Sequence, residues 1–156
     1  HILCVGSLKE SYWAQACAEY QKRLGAFCRF TITEVNEEKA PQNPSPAQIE
    51  QILQAEGNRL LAKMDPQAYT VAMCIEGKPL SSKAFSEQIN AIAVAGTSKI
   101  IFFIGGSFGL SSTVKQAANL QLSMSSMTFP HQLARVMLCE QIYRAFQISA
   151  GGKYHK

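Results

Sequence analysis

Between Glu87 and Glu140 the chain has not one acidic residue. A glycine-rich turn, Gly105-Gly106-Ser107-Phe108-Gly109, falls inside that gap. A dinucleotide fingerprint needs G-x-G-x-x-G and then an acid for the ribose hydroxyls, so both spacing and sequel exclude it. No Lys-Ser/Thr follows the glycines, which excludes a phosphate-cradling P-loop. No C-x-x-C pair occurs either. The five cysteines are odd in number and scattered, and His1, His131 and His155 are equally dispersed. That pattern predicts buried thiols and no bound metal. Long apolar runs are also missing: Ile100 to Ile104 falls far short of the roughly 20 residues that cross a bilayer. The chain opens on His1, and no charged leader followed by an apolar stretch and cleavage site is read there. The expectation is a cytoplasmic protein without a membrane partner.

What is present fits one domain over residues 1–156, with 47% of residues hydrophobic and able to form a core. Charge is unevenly spread. Residues 1–87 hold nine Lys/Arg against ten Asp/Glu, whereas from Gln88 onward six basic residues face the single acid Glu140. A basic C-terminal half points to a polyanion. Ile2 to Val5 and Phe27 to Val35 read as strands around a helix over Ser11 to Leu24. Ser45-Pro46 starts a long helix, stopped by Asp65-Pro66. Tyr69 to Ile75 is the third strand; Glu76 to Pro79 reads as a turn into a helix from about Ser82 to Ala95. Lys99 to Ile104 is continuously apolar, as a central strand covered on both faces would be. A short strand at Leu120 to Ser123 and a helix from Pro130 to about Ser149 complete an α/β order, a parallel sheet flanked by helices.

The last helix spreads Leu133, Val136, Met137, Leu138, Cys139, Ile142, Tyr143, Phe146 and Ile148 around its whole circumference. Such a helix must be covered on every side, and in so small a domain a twofold homodimer would do it. Glu140 and Arg144, one turn apart on that surface, are costly unless paired, in a structural or a catalytic role. The glycine turn lies where α/β proteins bind ligands, outside the carboxyl end of a strand. Met124-Ser125-Ser126-Met127-Thr128-Phe129 is uncharged and could clasp a flat ring with backbone groups. His131 and Arg135 follow, one turn apart, where they could face a nucleotide. The tail Gly151-Gly152-Lys153-Tyr154-His155-Lys156 sets an aromatic among cations, able to stack on an unpaired base while Lys153 and Lys156 hold phosphate.

In order along the chain, Val5-Gly6, Lys9-Glu10, Tyr12-Trp13, Tyr20 to Leu24, Lys39-Ala40-Pro41, Glu56-Gly57, Gly77-Lys78, Ile104 to Ser107, Met127 to His131, Tyr143-Arg144-Ala145 and Tyr154-His155-Lys156 resemble the RlmH family. These are SPOUT-class enzymes that methylate N3 of a pseudouridine in 23S ribosomal RNA. The resemblance spans almost the whole chain. It implies a C-terminal deep trefoil knot, an obligate homodimer, S-adenosylmethionine as cofactor, and 23S RNA, within the assembled ribosome, as partner. By position it assigns Met73, Gly105 and Met124 to Phe129 to the cofactor. Met73 replaces the usual leucine, and Phe108 replaces a small or polar residue, which alters pocket shape.

The target is an imide N–H, so catalysis needs in-line positioning and removal of one proton. Candidate helpers are His131, Arg135, Glu140, Arg144, Tyr154 and His155, with Tyr154 and His155 reaching the partner's pocket as first choices. Arg135 is also a candidate RNA contact. Alternatives left open are a SPOUT enzyme acting on another RNA such as a transfer RNA, and a non-catalytic RNA-binding or ribosome-assembly module. A nucleotide-binding oxidoreductase is disfavoured by the missing acid.

Overall fold

Three serines decide where three helices begin. Ser45 accepts from Gln48 N at 3.3 Å while the Gln48 side chain accepts from Ser45 N at 2.8 Å, a complete capping box. Ser81 accepts from Ala84 N and Ser111 from Val114 N in the same way. The computed structural model describes residues 1–155; Lys156, one of the expected RNA cations, lies outside the described residues. The elements are β1 (Ile2–Val5), α1 (Ser11–Leu24), β2 (Ile32–Val35), α2 (Pro46–Leu61), β3 (Tyr69–Pro79), α3 (Ser82–Val94), β4 (Ile100–Ile104), α4 (Ser112–Ala117), β5 (Leu120–Ser123) and α5 (His131–Ser149).

The strands form one sheet in the order β2-β1-β4-β3-β5, every pairing parallel. Parallel strands need both faces covered, and the period-2 alternation of β1 supplies both. Ile2 and Cys4 join Phe102, Leu138 and Ile142 on the side of α1, α3 and α5, while Leu3 and Val5 join Phe103, Leu60 and Val114 under α2 and α4. All four β1 side chains are fully buried. The chain steps from β1 outward to β2, crosses to β3, then returns to place β4 between β1 and β3. That reversal opens a crevice at the carboxyl ends of the strands, where open α/β sheets bind ligands.

Two boundaries differ from the sequence reading. Residues 25–28 continue the last turn of α1, with Cys28 N donating to Leu24 O, so the second strand starts only at Ile32. Phe27 is drawn off by packing: its ring stacks on Phe146 of α5 at 5.7 Å. β3 is longer than expected, since Glu76 to Pro79, read as a turn, extend it. Met73 and Lys78 both face Leu122 of β5, so residues 74–77 bulge out of the ladder. Gly77 permits this: a Cβ there would stand 2.7 Å from the β5 backbone.

Helix α5 is not buried all round by its own chain. Arg135, Leu138, Cys139, Ile142 and Ala145 form the buried stripe, and Leu133, Met137 and Ile148 stay partly exposed. No helix among the described residues is long and apolar enough to cross a membrane.

Candidate cofactor pocket and tail cluster

At the carboxyl ends of β3, β4 and β5 lies a cavity of about 760 Å³. Three segments wall it: residues 73–76 from the β3 bulge, residues 104–110 of the glycine turn, and residues 122–131 leading into α5. The glycine turn folds sharply back on itself, with Gly106 bridged to Gly109. A Cβ on Gly105 would sit 2.0 Å from the Gly109 carbonyl oxygen, so no larger residue fits there. Gly109 has φ +87°, the left-handed region that favours glycine. The third segment is tied to itself: Ser123 Oγ donates to Ser125 O, and Met127 N donates to Ser125 Oγ.

Of the residues assigned to the cofactor, Met73, Gly105, Met124, Ser125, Met127, Thr128 and Phe129 meet in this wall. Ser126 is exposed and is not part of it. Sequence reasoning missed Cys74, Glu76 and Lys115, which also line the cavity. Their arrival depends on the β3 bulge and on α4 packing, neither of which has a periodic signature. Cys74 is thus a wall residue rather than a buried core thiol, and burial together with the nearby Glu76 raises its pKa. Thioether and aromatic side chains, exposed glycine backbone, one carboxylate and one ammonium make a donor set that fits a sulfonium nucleoside.

His131 and Arg135 part company despite their helical spacing. His131 reaches the cavity, and its pKa is lowered, chiefly by burial, with Glu37 opposing and Arg135 and Lys9 assisting. Arg135 is completely buried instead. Its guanidinium donates to Glu34 Oε1 at 2.6 Å, to Val5 O at 3.3 Å and to Gly6 O at 3.0 Å, clamping α5 to the ends of β1 and β2. The expectation that it faces RNA is corrected by this placement, because the side chain is completely buried and both its terminal nitrogens are bonded inside the fold. Lys99, Lys115 and Arg144 also have acidic partners, in Asp65, Glu76 and Glu140. Much of the basic excess read from the C-terminal half is therefore locally balanced.

Glu140, Arg144, Tyr154 and His155 form a second cluster. Arg144 Nε donates to Glu140 Oε1 at 2.9 Å, the Tyr154 hydroxyl donates to the same oxygen at 3.1 Å, and Arg144 Nη1 lies 3.4 Å from His155 Nδ1. The Arg144 guanidinium stands 4.7 Å over the Tyr154 ring, which meets Tyr143 edge-on at 5.0 Å. Burial, then hydrogen bonds with Tyr20 and Glu140, push the Tyr154 hydroxyl up to about 12. Lys153 is exposed beside it. With about 1.5 Å of rise per residue, Glu140 and Arg144 lie roughly 14 and 20 Å along α5 from His131, so the tail cluster and the cavity of one protomer are separate. Among the described residues, no three His, Cys, Asp or Glu gather as a metal site.

An α/β sheet with a ligand cavity built from glycine turn and α5 entry is the framework of a class of methyltransferases. The family model described as predicted SPOUT methyltransferase matches residues 1–155, and the chain belongs to that family, in agreement with the RlmH resemblance. A probable methylase family protein from Haemophilus influenzae Rd KW20 has a similar fold, with TM-score 0.56 and 13% identity over 99% of this chain and 69% of its own. So does a putative methylase family protein from Neisseria gonorrhoeae, with TM-score 0.55 and 13% identity over 99% of this chain and 85% of its own. The SpoU methyltransferase AviRb from Streptomyces viridochromogenes, solved in complex with AdoMet, matches at TM-score 0.47 and 13% identity, over 98% of this chain and 59% of its own.

Proposed function

We propose that the protein transfers a methyl group from S-adenosylmethionine to N3 of a pseudouridine in 23S ribosomal RNA, working as a cytoplasmic homodimer on the assembled ribosome. The observation that carries this reading is the cavity, because the three segments that the RlmH resemblance assigns to the cofactor converge on it. S-adenosylmethionine bound there would supply an activated methyl whose sulfur leaves as neutral S-adenosylhomocysteine. The chain's own work is to hold the base in line, form the N3–carbon bond as the sulfur–carbon bond breaks, and pass the N3 proton to a base. Gly105 and the loop from Met124 to Phe129 hold the nucleoside. His131, with its lowered pKa, is uncharged near neutrality and can accept a proton at the cavity's edge. Tyr154, held protonated, donates and stacks rather than taking a proton.

Since a protomer's tail cluster lies well down α5 from its own cavity, Tyr154 and His155 are assigned to the cavity of the second subunit. The partly exposed Leu133, Met137 and Ile148 give α5 an apolar face for that subunit, and the C-terminal trefoil knot of the family is proposed with it. Calorimetric titration with S-adenosylmethionine, then tritiated methyl transfer to ribosomes from a strain lacking this protein, tests the reading. Binding with label in 23S RNA is expected. Absence of binding would remove the enzymatic reading.

A further inference from the structure

Six ion pairs occur among the described residues, and only Glu76–Lys115 has both members in the cavity wall. Glu76 is also the only carboxylate in that wall. It comes from the bulge of β3, where residues 74–77 leave the ladder, and Gly77 fixes the bulge by lying close against the β5 backbone. Lys115 comes from α4 on the far side of the glycine turn, and its Nζ donates to Glu76 Oε1 at 2.6 Å. The Lys115 carbonyl in turn accepts from Gln121 Nε2 at 3.2 Å, tying this part of α4 to β5.

A nucleoside brings two adjacent hydroxyl donors on its ribose, and a carboxylate is the side chain that accepts both at once. No acid lies between the glycine turn and Glu140, which sits in the separate tail cluster, to serve this purpose. We propose that Glu76 is the ribose-binding residue of this cavity, accepting from the vicinal hydroxyls of the cofactor, and that Lys115 is the positioning residue that holds its carboxylate toward them. The inference rests on the cofactor reading above and adds to it the group that recognises the sugar. A strand bulge supplies the acid that dinucleotide-binding folds place after the next strand. The Lys115 contact also keeps Glu76 ionised, lowering its pKa chiefly through that hydrogen bond.

The test is calorimetric titration of the full-length wild type, Glu76→Gln, Lys115→Met and Lys115→Arg with S-adenosylhomocysteine, adenosine, 2′-deoxyadenosine and 3′-deoxyadenosine, with thermal melts to confirm folding. The wild type is expected to favour adenosine over either deoxy analogue by about tenfold, as for one hydrogen bond to a charged acceptor. Glu76→Gln should bind adenosine about tenfold more weakly and lose most of that preference. Lys115→Met should lie between the two, and Lys115→Arg should restore the wild-type preference. Wild-type binding of S-adenosylhomocysteine with an unchanged preference in a folded Glu76→Gln variant overturns the ribose assignment alone. Equal weakening of adenosine and both deoxy analogues in that variant overturns it too. Failure of the wild type to bind any of the four removes the cofactor reading together with it.

Discussion

The cavity at the carboxyl ends of the strands and the cluster at the far end of α5 are built on opposite plans. The cavity is assembled by a single protomer from three separate segments drawn from residues 73–131, with the tightly folded glycine turn in its wall. The tail cluster is mostly local, formed by one turn of α5 and the residues that follow it with Tyr20 of α1 alongside, and its charged groups satisfy one another. A site for a small, invariant cofactor gains from preorganisation, since its groups need not be ordered on binding. Groups that handle RNA gain from being held on a short tether that a neighbouring subunit can present. In the proposed dimer the two halves meet only between protomers.

The largest effect should fall on the tail. Tyr154→Phe combined with His155→Ala is expected to cut methyl transfer by about a thousandfold while leaving cofactor affinity within a factor of two, as single-turnover assays and calorimetry would show. Full activity in that variant would detach the tail from the reaction. Arg135→Ala should instead cost stability, about 3 kcal/mol in urea unfolding, because it leaves two buried carbonyls without their donor. Glu34 is partly exposed and can be rehydrated, which keeps the loss at the lower end of the range for buried pairs. A change well under 1 kcal/mol would contradict its role as a clamp.

Gly105→Ala acts chiefly on the cavity. Its new methyl cannot occupy space 2.0 Å from a carbonyl oxygen, so the turn must open, and cofactor affinity should fall about a hundredfold, with a smaller loss of melting temperature. The smallest effect concerns Glu56, which lies against the underside of that turn, nearly fully buried, with Oε2 unpartnered and Oε1 accepting from Glu38 N. Burial raises its pKa above the ordinary carboxylate value. The folded state therefore binds its proton more tightly than the unfolded chain does. The resulting stability is full below the unfolded pKa and is lost as pH rises through the folded one. Unfolding midpoints of the wild type relative to Glu56→Gln should accordingly fall as pH rises from acid through that range. A relative midpoint that rises instead would reverse the assignment.

Much of the framework was legible from sequence because it depends on local chemistry. Ser45-Pro46 marks a helix start through a side-chain cap, and the continuous apolar run of β4 suits a strand covered on both faces. The cavity's glycine and methionine segments were legible through resemblance to a known family. What escaped were partnerships across the fold. Arg135 looked like a surface cation because Glu34, which takes its charge, lies 101 residues earlier. Glu76 and Lys115 were hidden because a bulge that adds residues to one strand leaves no period in the sequence. The basic half looked like an RNA surface for the same reason: its charges are paired by acids from the other half of the chain.

The central claim is that one protomer's cavity is completed by the other's tail, and mixed dimers test it most directly. A protomer carrying Gly105→Ala is paired with one carrying Tyr154→Phe and His155→Ala, through two affinity tags, and methyl transfer is measured against each parent homodimer. Completion in trans leaves one intact site per mixed dimer, so activity should return to about half that of the wild type from two nearly inactive parents. Mixed dimers as inactive as their parents would show that each protomer's tail serves its own cavity, and would contradict the account.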